Sequence, residues 1–430
     1  MQTFLQTALD ENPGWLAGWA LLAVMGVYGL ALLFGALRRL YFQRGQQALA
    51  RQWMREEIKA AKIRTKEAEE AKLSWNGCRK FEVVSKTVEC ENVVSFCLAP
   101  HDKRPLPAFK PGQYITFQLT IPGQGKPVIR CYSLSDSHRP NRYRVTIKKV
   151  LPAPDVADGK PGLVSSYFCD TVREGDILDV KAPNGHFYMD LQEARPAVLI
   201  SAGVGVTPMV SMVNAIIDSG LKTEVWFFFG ARSREDHIFK EYLQKIAAVH
   251  DNLRLHVCYS RPEKSDVIGR DYHHSGRVTA ELLKENLPSS NYDYFLCGPG
   301  PFMNSLTEGL TAWGVPEQNI HYEAFGPATV KKAAPPPNAA DTALLSKLSI
   351  TFSRLGKTFH WNPASGNLLD FAESKGAKIE AGCRAGNCGT CVVALKSGSV
   401  DYITPTGAST ELNTCLACIC RPKTDLVLDA

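Results

Sequence analysis

What this 430-residue chain lacks narrows its class first. Its 49 basic and 43 acidic residues leave a net charge of only +6, and no stretch interleaves basic with aromatic side chains, so nothing points to a nucleic-acid partner. Its thirteen cysteines are spread through too long a chain to make a disulfide scaffold. The first thirteen residues hold Asp10 and Glu11 but no Lys or Arg, which deprives a signal peptide of its basic n-region. Residues 14–37 hold no charge at all, and residues 38–72 hold no proline and a single glycine, Gly45. With 45% hydrophobic and 21% charged residues, the composition is that of folded protein rather than disorder. The length suits roughly two to four domains.

The uncharged stretch 14–37 is rich in Leu, Ala, Val and Trp, and as a helix it would span roughly 36 Å, enough to cross a bilayer. Trp15 and Trp19 suit the outer interface, Tyr41 and Phe42 the inner one. Arg38, Arg39, Arg44, Arg51 and Arg55 follow at once, so the positive-inside rule places the C-terminal bulk in the cytoplasm. The expectation is an uncleaved, single-pass anchor in a bacterial-type inner (cytoplasmic) membrane, with residues 1–13 outside. Residues 38–72 carry ten basic and five acidic side chains and form the bulk of a juxtamembrane helix over 38–76. Leu49, Trp53, Ile58 and Ile63 give it a thin apolar stripe. A solvated spacer, a face lying on anionic lipid and a short self-associating coil are its three readings.

Near the other end, Cys383, Cys388 and Cys391 stand at C-x4-C-x2-C spacing, and further cysteines follow at 415, 418 and 420. Three clustered thiolates plus one distant one are the ligand pattern of a plant-type [2Fe–2S] cluster. Gly386 and Gly389 let such a loop fold tightly enough for backbone N–H groups to face sulfur. Zinc, usually held by paired C-x2-C units, and free thiols are the alternatives. Cluster assembly implies a reducing, cytosolic setting for this part of the chain. Cys78, Cys90, Cys97, Cys131, Cys169 and Cys258 read as small buried apolar residues.

Between anchor and cluster, residues 81–84, 93–98 and 114–117 are short alternating runs between turn signals, as in a small antiparallel barrel. Then Ala197-Val198-Leu199-Ile200-Ser201-Ala202 runs without a polar break into Gly203-Val204-Gly205-Val206-Thr207-Pro208, a buried parallel strand leading to a glycine turn and a helix. Further strand patterns at 224–229, 254–259 and 292–297 complete an open parallel sheet.

Several segments resemble the ferredoxin–NADP reductase family, in the family's order, over residues 80–429. They are Phe109-Lys110-Pro111-Gly112-Gln113-Tyr114, Arg130-Cys131-Tyr132-Ser133, Gly162-Leu163-Val164-Ser165-Ser166-Tyr167, the G-x-G-x-T-P turn, Cys297-Gly298-Pro299-Gly300-Pro301-Phe302-Met303 and Tyr322-Glu323-Ala324-Phe325-Gly326. The resemblance implies Arg130 on the flavin phosphates, Tyr132 stacked on the isoalloxazine and Ser133 at its N5 edge. It implies Gly162, Ser165 and Ser166 around the pyrophosphate, which favours FAD over FMN. On the nicotinamide side it implies Gly203, Gly205, Thr207, Gly298 and Phe325 around the coenzyme. Cys297, Ser133 and Glu323 then form the polar network about the transferring hydride. Val257-Cys258-Tyr259-Ser260-Arg261 resembles the 2′-phosphate segment of NADP-dependent relatives, whereas Gly230-Ala231-Arg232-Ser233 resembles the turn of NADH-using ones. Arg232 and Arg261 could both face a phosphate, which tips the expectation towards NADPH, with NADH the alternative.

A Pro/Ala-rich tether at 328–345 precedes a region whose strand and helix patterns suit the β-grasp fold of plant-type ferredoxins. The family's L-x-C run selects Cys418 as the fourth ligand, with Cys415 and Cys420 in competition. The expected molecule is therefore multidomain. A transmembrane helix precedes an antiparallel β-barrel flavin domain (77–190), an α/β parallel-sheet nucleotide domain (191–327) and an α+β ferredoxin domain (346–430). Electrons would pass from NAD(P)H to FAD to [2Fe–2S] and on to a membrane-bound oxygenase, hydroxylase or desaturase. The alternatives are an electron-input subunit of a respiratory or quinone-reducing complex and a redox-sensing adaptor.

Overall fold

The computed structural model describes residues 13–152, 159–193, 195–323, 325, 345–382, 384–386, 389–403 and 410–430. The chain divides into two units, Met1–Lys72 and Leu73–Ala430.

The first unit is helical. One helix runs unbroken over Pro13–Leu73, 61 residues or about 92 Å. The apolar stretch and the basic stretch, expected as separate elements meeting at residue 37, are thus one rod. Its continuity follows from the missing proline and from a run of good helix formers (Ala, Glu, Lys, Gln, Arg) after residue 43. Ala17–Gln43 has mean hydropathy 2.3 and none of it is buried, so the segment is long and apolar enough to cross a membrane.

The second unit begins with an antiparallel sheet of six strands. These are β1 (Arg79–Cys90), β2 (Val93–Pro100), β3 (Tyr114–Leu119), β4 (Val128–Ser133), β5 (Tyr143–Lys148) and β6 (Ile177–Asn184). Their order is β4-β3-β6-β1-β2-β5. The two edges meet where Leu134 bridges Val145 and the Ser135 N–H donates to the Arg144 carbonyl at 2.8 Å, which closes the sheet into a barrel. Alternation along β1, with Phe81 and Val83 buried and Lys80 and Glu82 not, sends every second side chain inward against Phe96, Phe117 and Val145.

A parallel sheet follows, built from β7 (Ala197–Ala202), β8 (Val225–Ala231), β9 (Leu253–Tyr259), β10 (His274–Ser275), β11 (Asp293–Cys297) and β12 (Ile320–Glu323). Its order is β10-β9-β8-β7-β11-β12, so the strand sequence reverses between β7 and β11. Helices cover both faces, which is why β7 and β8 are buried on both and carry almost no polar side chain.

The C-terminal part has β13 (Ser349–Phe352), β14 (Lys357–His360), β15 (Val392–Ser397), β16 (Val400–Tyr402), β17 (Thr414–Leu416), β18 (Cys420–Pro422) and β19 (Leu426–Leu428). Five of these form one sheet, β14-β13-β19-β15-β17, and β16 pairs with β18. The helix Leu368–Ser374, capped by Asn367 accepting from the Asp370 N–H, packs Phe371 against Phe352 and Trp361. The tether 328–344 lies outside the described residues.

Candidate active site

Antiparallel pairing places Tyr114 of β3 opposite Ser133 of β4, and parallel pairing places Cys297 of β11 beside Glu323 of β12. These two strand ends face one cavity of about 550 Å³. Arg130, Tyr132 and Ser133 line it from β4, Gly162 and Ser165 from the N-cap and body of the short helix Leu163–Ser166, and Thr207 from the glycine turn. Glu323 and Phe325 close it from the parallel sheet. Ala381, Gly382, Arg384 and Ala385, from the loop that carries the first cluster cysteines, complete the wall.

Within this cavity Ser133 Oγ donates to Glu323 Oε2 at 3.2 Å, and both residues are buried. Burial pushes the Glu323 carboxyl up to about 8, against the opposing pull of the Ser133 hydrogen bond. Burial, then the neighbouring Glu323, raises the Cys297 thiol well above its usual range, so it is a neutral, unreactive sulfur. The Tyr132 ring is fixed edge-on by Phe117 at 5.9 Å and Phe168 at 5.5 Å, which leaves its orientation set before any ligand arrives.

The glycine turn is held by contact rather than by hydrogen bonds alone. A Cβ on Gly205 would lie 2.1 Å from the Cys297 carbonyl oxygen, so only glycine allows the turn and the end of β11 to touch. Thr207 Oγ1 donates back to the Val204 carbonyl at 3.0 Å and stiffens the same turn. Gly298, on the other side of the contact, follows Cys297 directly.

The residues present fit FAD, with two differences from expectation. Ser165 is already engaged: its hydroxyl donates to the Gly162 carbonyl and accepts from the Val150 N–H, both at 3.1 Å. Ser166 Oγ, by contrast, is buried with no partner among the described residues, an open donor at the place where a phosphate is expected. Arg130, expected on phosphate alone, also donates to the Gly382 carbonyl at 3.4 Å and so touches the cluster loop. Nearby, Lys126 pairs with Glu380 at 3.3 Å.

On the carboxyl edge of the parallel sheet, the Arg261 N–H donates to the Arg232 carbonyl at 2.8 Å and the Ser260 N–H to the Ala231 carbonyl at 3.0 Å. Arg232, Ser260 and Arg261 therefore share one corner. Arg232 departs from expectation in one respect: Asp236 already grips its guanidinium, at 2.6 and 2.9 Å. Lys148, which also lines the flavin cavity, holds the same carboxylate at 3.0 Å. Although burial opposes it, Arg232 and Lys148 together keep Asp236 below the usual carboxylate range. Neither Asp236 nor Lys148 stood out in the sequence, because an i,i+4 ion pair and a cross-domain contact carry no motif.

Of the four expected cluster ligands, Cys383 and Cys388 lie outside the described residues. Cys391 and Cys418 are buried with their sulfurs 3.1 Å apart, beyond the length of a disulfide yet side by side. The Gly386 N–H donates to Cys418 Sγ at 3.3 Å, and a Cβ on Gly386 would strike Ile419 at 2.4 Å, so the loop closes on this sulfur only with glycine there. Thr390 Oγ1 is buried with no partner among the described residues, a further donor beside Cys391. Two adjacent buried thiols with N–H and O–H donors fit an iron–sulfur cluster. Cys415 and Cys420 instead touch each other, and that hydrogen bond, with burial, keeps the Cys420 thiol protonated.

Comparison with known proteins gives three matching family models. They are an oxidoreductase FAD-binding domain over residues 80–188, an oxidoreductase NAD-binding domain over 199–308, and a 2Fe-2S iron-sulfur cluster binding domain over 350–423. The chain is 38% identical over 271 residues to the flavohemoprotein of Halalkalibacterium halodurans, covering 63% of this chain and 65% of that one. It is 40% identical over 253 residues to that of Chromobacterium violaceum, covering 59% and 61%. It thus spans a little under two thirds of these relatives, over their shared FAD- and NAD-binding part. Among solved structures it is similar to the FAD/NAD binding domain of the nitric oxide dioxygenase from Vibrio cholerae. The identity there is 34% and the TM-score 0.52, over 59% of this chain and all of that one. Phthalate dioxygenase reductase shares the fold, with 24% identity and a TM-score of 0.50, over 82% of this chain and 98% of that one.

Proposed function

The chain belongs to the ferredoxin–NADP reductase family, with FAD-, NAD- and 2Fe-2S-binding domains in one polypeptide, and from that premise we propose that it is a membrane-anchored reductase serving a membrane-embedded oxygenase, hydroxylase or desaturase. The observation that carries the reading is the shared cavity. Its walls come from the flavin barrel, the nicotinamide sheet and the cluster loop at once. When bound, FAD would exchange a hydride for single electrons and the [2Fe–2S] group would carry those electrons one at a time.

The chain's own residues position rather than react. Tyr132, braced by Phe117 and Phe168, offers a ring face for a flavin; Ser166 and Arg130 offer donors for its phosphates. Ser133 and Glu323 set the polar edge against which a nicotinamide would lie, and Cys297 fills the space beneath it without reacting. Cys383, Cys388, Cys391 and Cys418 would hold the cluster. The apolar segment Ala17–Gln43 is proposed as the anchor, with the positive-inside arginines setting the catalytic part in the cytoplasm.

Purified full-length protein should contain one FAD and one [2Fe–2S] per chain and take up about three electrons in anaerobic titration, two on the flavin and one on the cluster. Zinc in place of iron, or a flavin-free preparation, would overturn the proposal.

A further inference from the structure

We propose that Asp236 is a specificity-determining residue that turns this reductase away from a 2′-phosphorylated coenzyme and towards NADH. The inference rests on the reductase reading above. In a parallel sheet with a glycine turn after its first strand, a dinucleotide lies over the carboxyl edge, its pyrophosphate at that turn and its adenosine ribose beyond the next strand. Here the turn follows β7 and the next strand is β8, so the ribose corner is formed by Arg232, Ser260 and Arg261, which the backbone bonds between residues 231–232 and 260–261 hold together.

A guanidinium recognises a phosphate monoester with the same paired N–H groups that it gives to a carboxylate. Arg232 has already given them to Asp236, through Nε at 2.6 Å and a terminal nitrogen at 2.9 Å. Asp236 is only 14% exposed and is also held by Lys148, whose ammonium donates to Oδ1 at 3.0 Å, so it does not swing away freely. A 2′-phosphate arriving at Arg232 must therefore break a two-point ion pair or sit beside a fixed negative charge. A ribose 2′-hydroxyl meets neither obstacle.

A second observation points the same way. Glu91 adds its negative charge to the surroundings of Arg232. It also lines an adjoining cavity of about 600 Å³ whose wall includes Glu89, Glu235, Glu263 and Asp266. Arg234 and Lys240 are its cations, and Lys240 is committed to Asp271. Acids thus outnumber cations along that cavity wall, and two extra phosphate charges would be repelled from that side.

The test compares kcat/KM for NADH and NADPH in dye reduction by the full-length holoenzyme. We expect the wild type to favour NADH. Asp236→Asn should raise the NADPH-to-NADH ratio roughly ten-fold, chiefly through the KM for NADPH, and adding Arg232→Ala should remove that gain. A wild type that favours NADPH, an unchanged ratio in Asp236→Asn, or a gain that survives in the double variant would each overturn the inference. Should Asp236→Asn fail to fold, competition settles the matter on the wild type. There 5′-AMP should compete with NADH more tightly than 2′,5′-ADP, and the reverse order would overturn the proposal. Failure of both coenzymes to reduce the flavin would instead overturn the reductase reading, and direct binding of 5′-AMP and 2′,5′-ADP would then decide the present point.

Discussion

Glu323 offers the sharpest quantitative prediction. Its carboxyl is held near 8 in the folded chain against an ordinary value of 4.5, because burial penalises the charge more than Ser133 relieves it. A carboxyl whose folded value is raised binds more protons folded than unfolded. Its contribution to stability is therefore complete below about 4.5, and is lost as pH climbs through 8. Within that window the loss is roughly 1.4 kcal/mol per pH unit, so moving from pH 5.5 to 7.5 costs the wild type about 2.7 kcal/mol at this one site. Glu323→Gln keeps the shape, stays neutral and should escape that loss. Thermal unfolding of the holoprotein at the two pH values, wild type against variant, reads the difference as a relative shift of about 5–10 °C in the transition of this domain. Taking the difference between the proteins cancels the other titrating groups, among them the buried His237 and the half-buried His256, whose lowered values act in the opposite sense. Ser133→Ala removes a donor that favours the ionised form, so it should move the inflection above 8 rather than abolish it. Coenzyme-driven flavin reduction should show the same inflection in the wild type and none in Glu323→Gln. If Glu323→Gln instead tracks the wild type across the range, the carboxyl is not titrating in this site and the reasoning fails.

The remaining expectations concern the other parts of the site. Cys391→Ser and Cys418→Ser should each lose the cluster's iron and visible absorption, whereas Cys415→Ser and Cys420→Ser should keep both; iron retained in Cys418→Ser would transfer the fourth ligand elsewhere. Gly205→Ala, whose methyl would lie 2.1 Å from the Cys297 carbonyl, should displace the glycine turn and lower kcat/KM for either coenzyme by about a hundred-fold at intact iron content; wild-type kinetics would show the contact to be soft. Cys297→Ala should slow flavin reduction in stopped-flow while leaving cluster content unchanged, and wild-type rates would remove the thiol from the hydride site. Deleting residues 1–37 should leave dye reduction nearly unchanged but sharply reduce turnover of the membrane partner at equal enzyme concentration, and equal turnover would assign the helix another task.

Much of the molecule was legible in its sequence because the informative features are local. A buried parallel strand such as β7 announces itself by an unbroken apolar run, and β1 by alternation. Gly205 and Gly386 occur where no side chain fits, a requirement that is written as glycine in the sequence. The resemblance implied one network of Ser133, Cys297 and Glu323, and the fold brings Ser133 within hydrogen-bonding distance of Glu323, 190 positions away. What the sequence concealed were contacts between segments with no motif of their own. Asp236 reads as one more acid in a polar turn until β5 and β8 bring Lys148 and Arg232 to either side of it. Likewise Ser165 and Ser166 look interchangeable. Only the fold shows that Val150 and Gly162 claim the first hydroxyl and leave the second without a partner among the described residues. The boundary drawn at residue 37 was a change of chemistry, not of conformation, since the helical backbone continues across it.

The wall that Ala381, Gly382, Arg384 and Ala385 lend to the flavin cavity also has a consequence in time. While that surface faces the flavin it is hidden from any external acceptor, so an acceptor that uses it is served only after the loop has left. If electrons leave singly through that surface, each two-electron coenzyme would require it to be uncovered twice. The pair Lys126–Glu380, exposed on both sides, and the Arg130–Gly382 hydrogen bond are contacts of a kind that contribute little and break readily. Turnover would then be metered by the loop's comings and goings, and raising ionic strength, by loosening that latch, would change the rhythm without touching the chemistry.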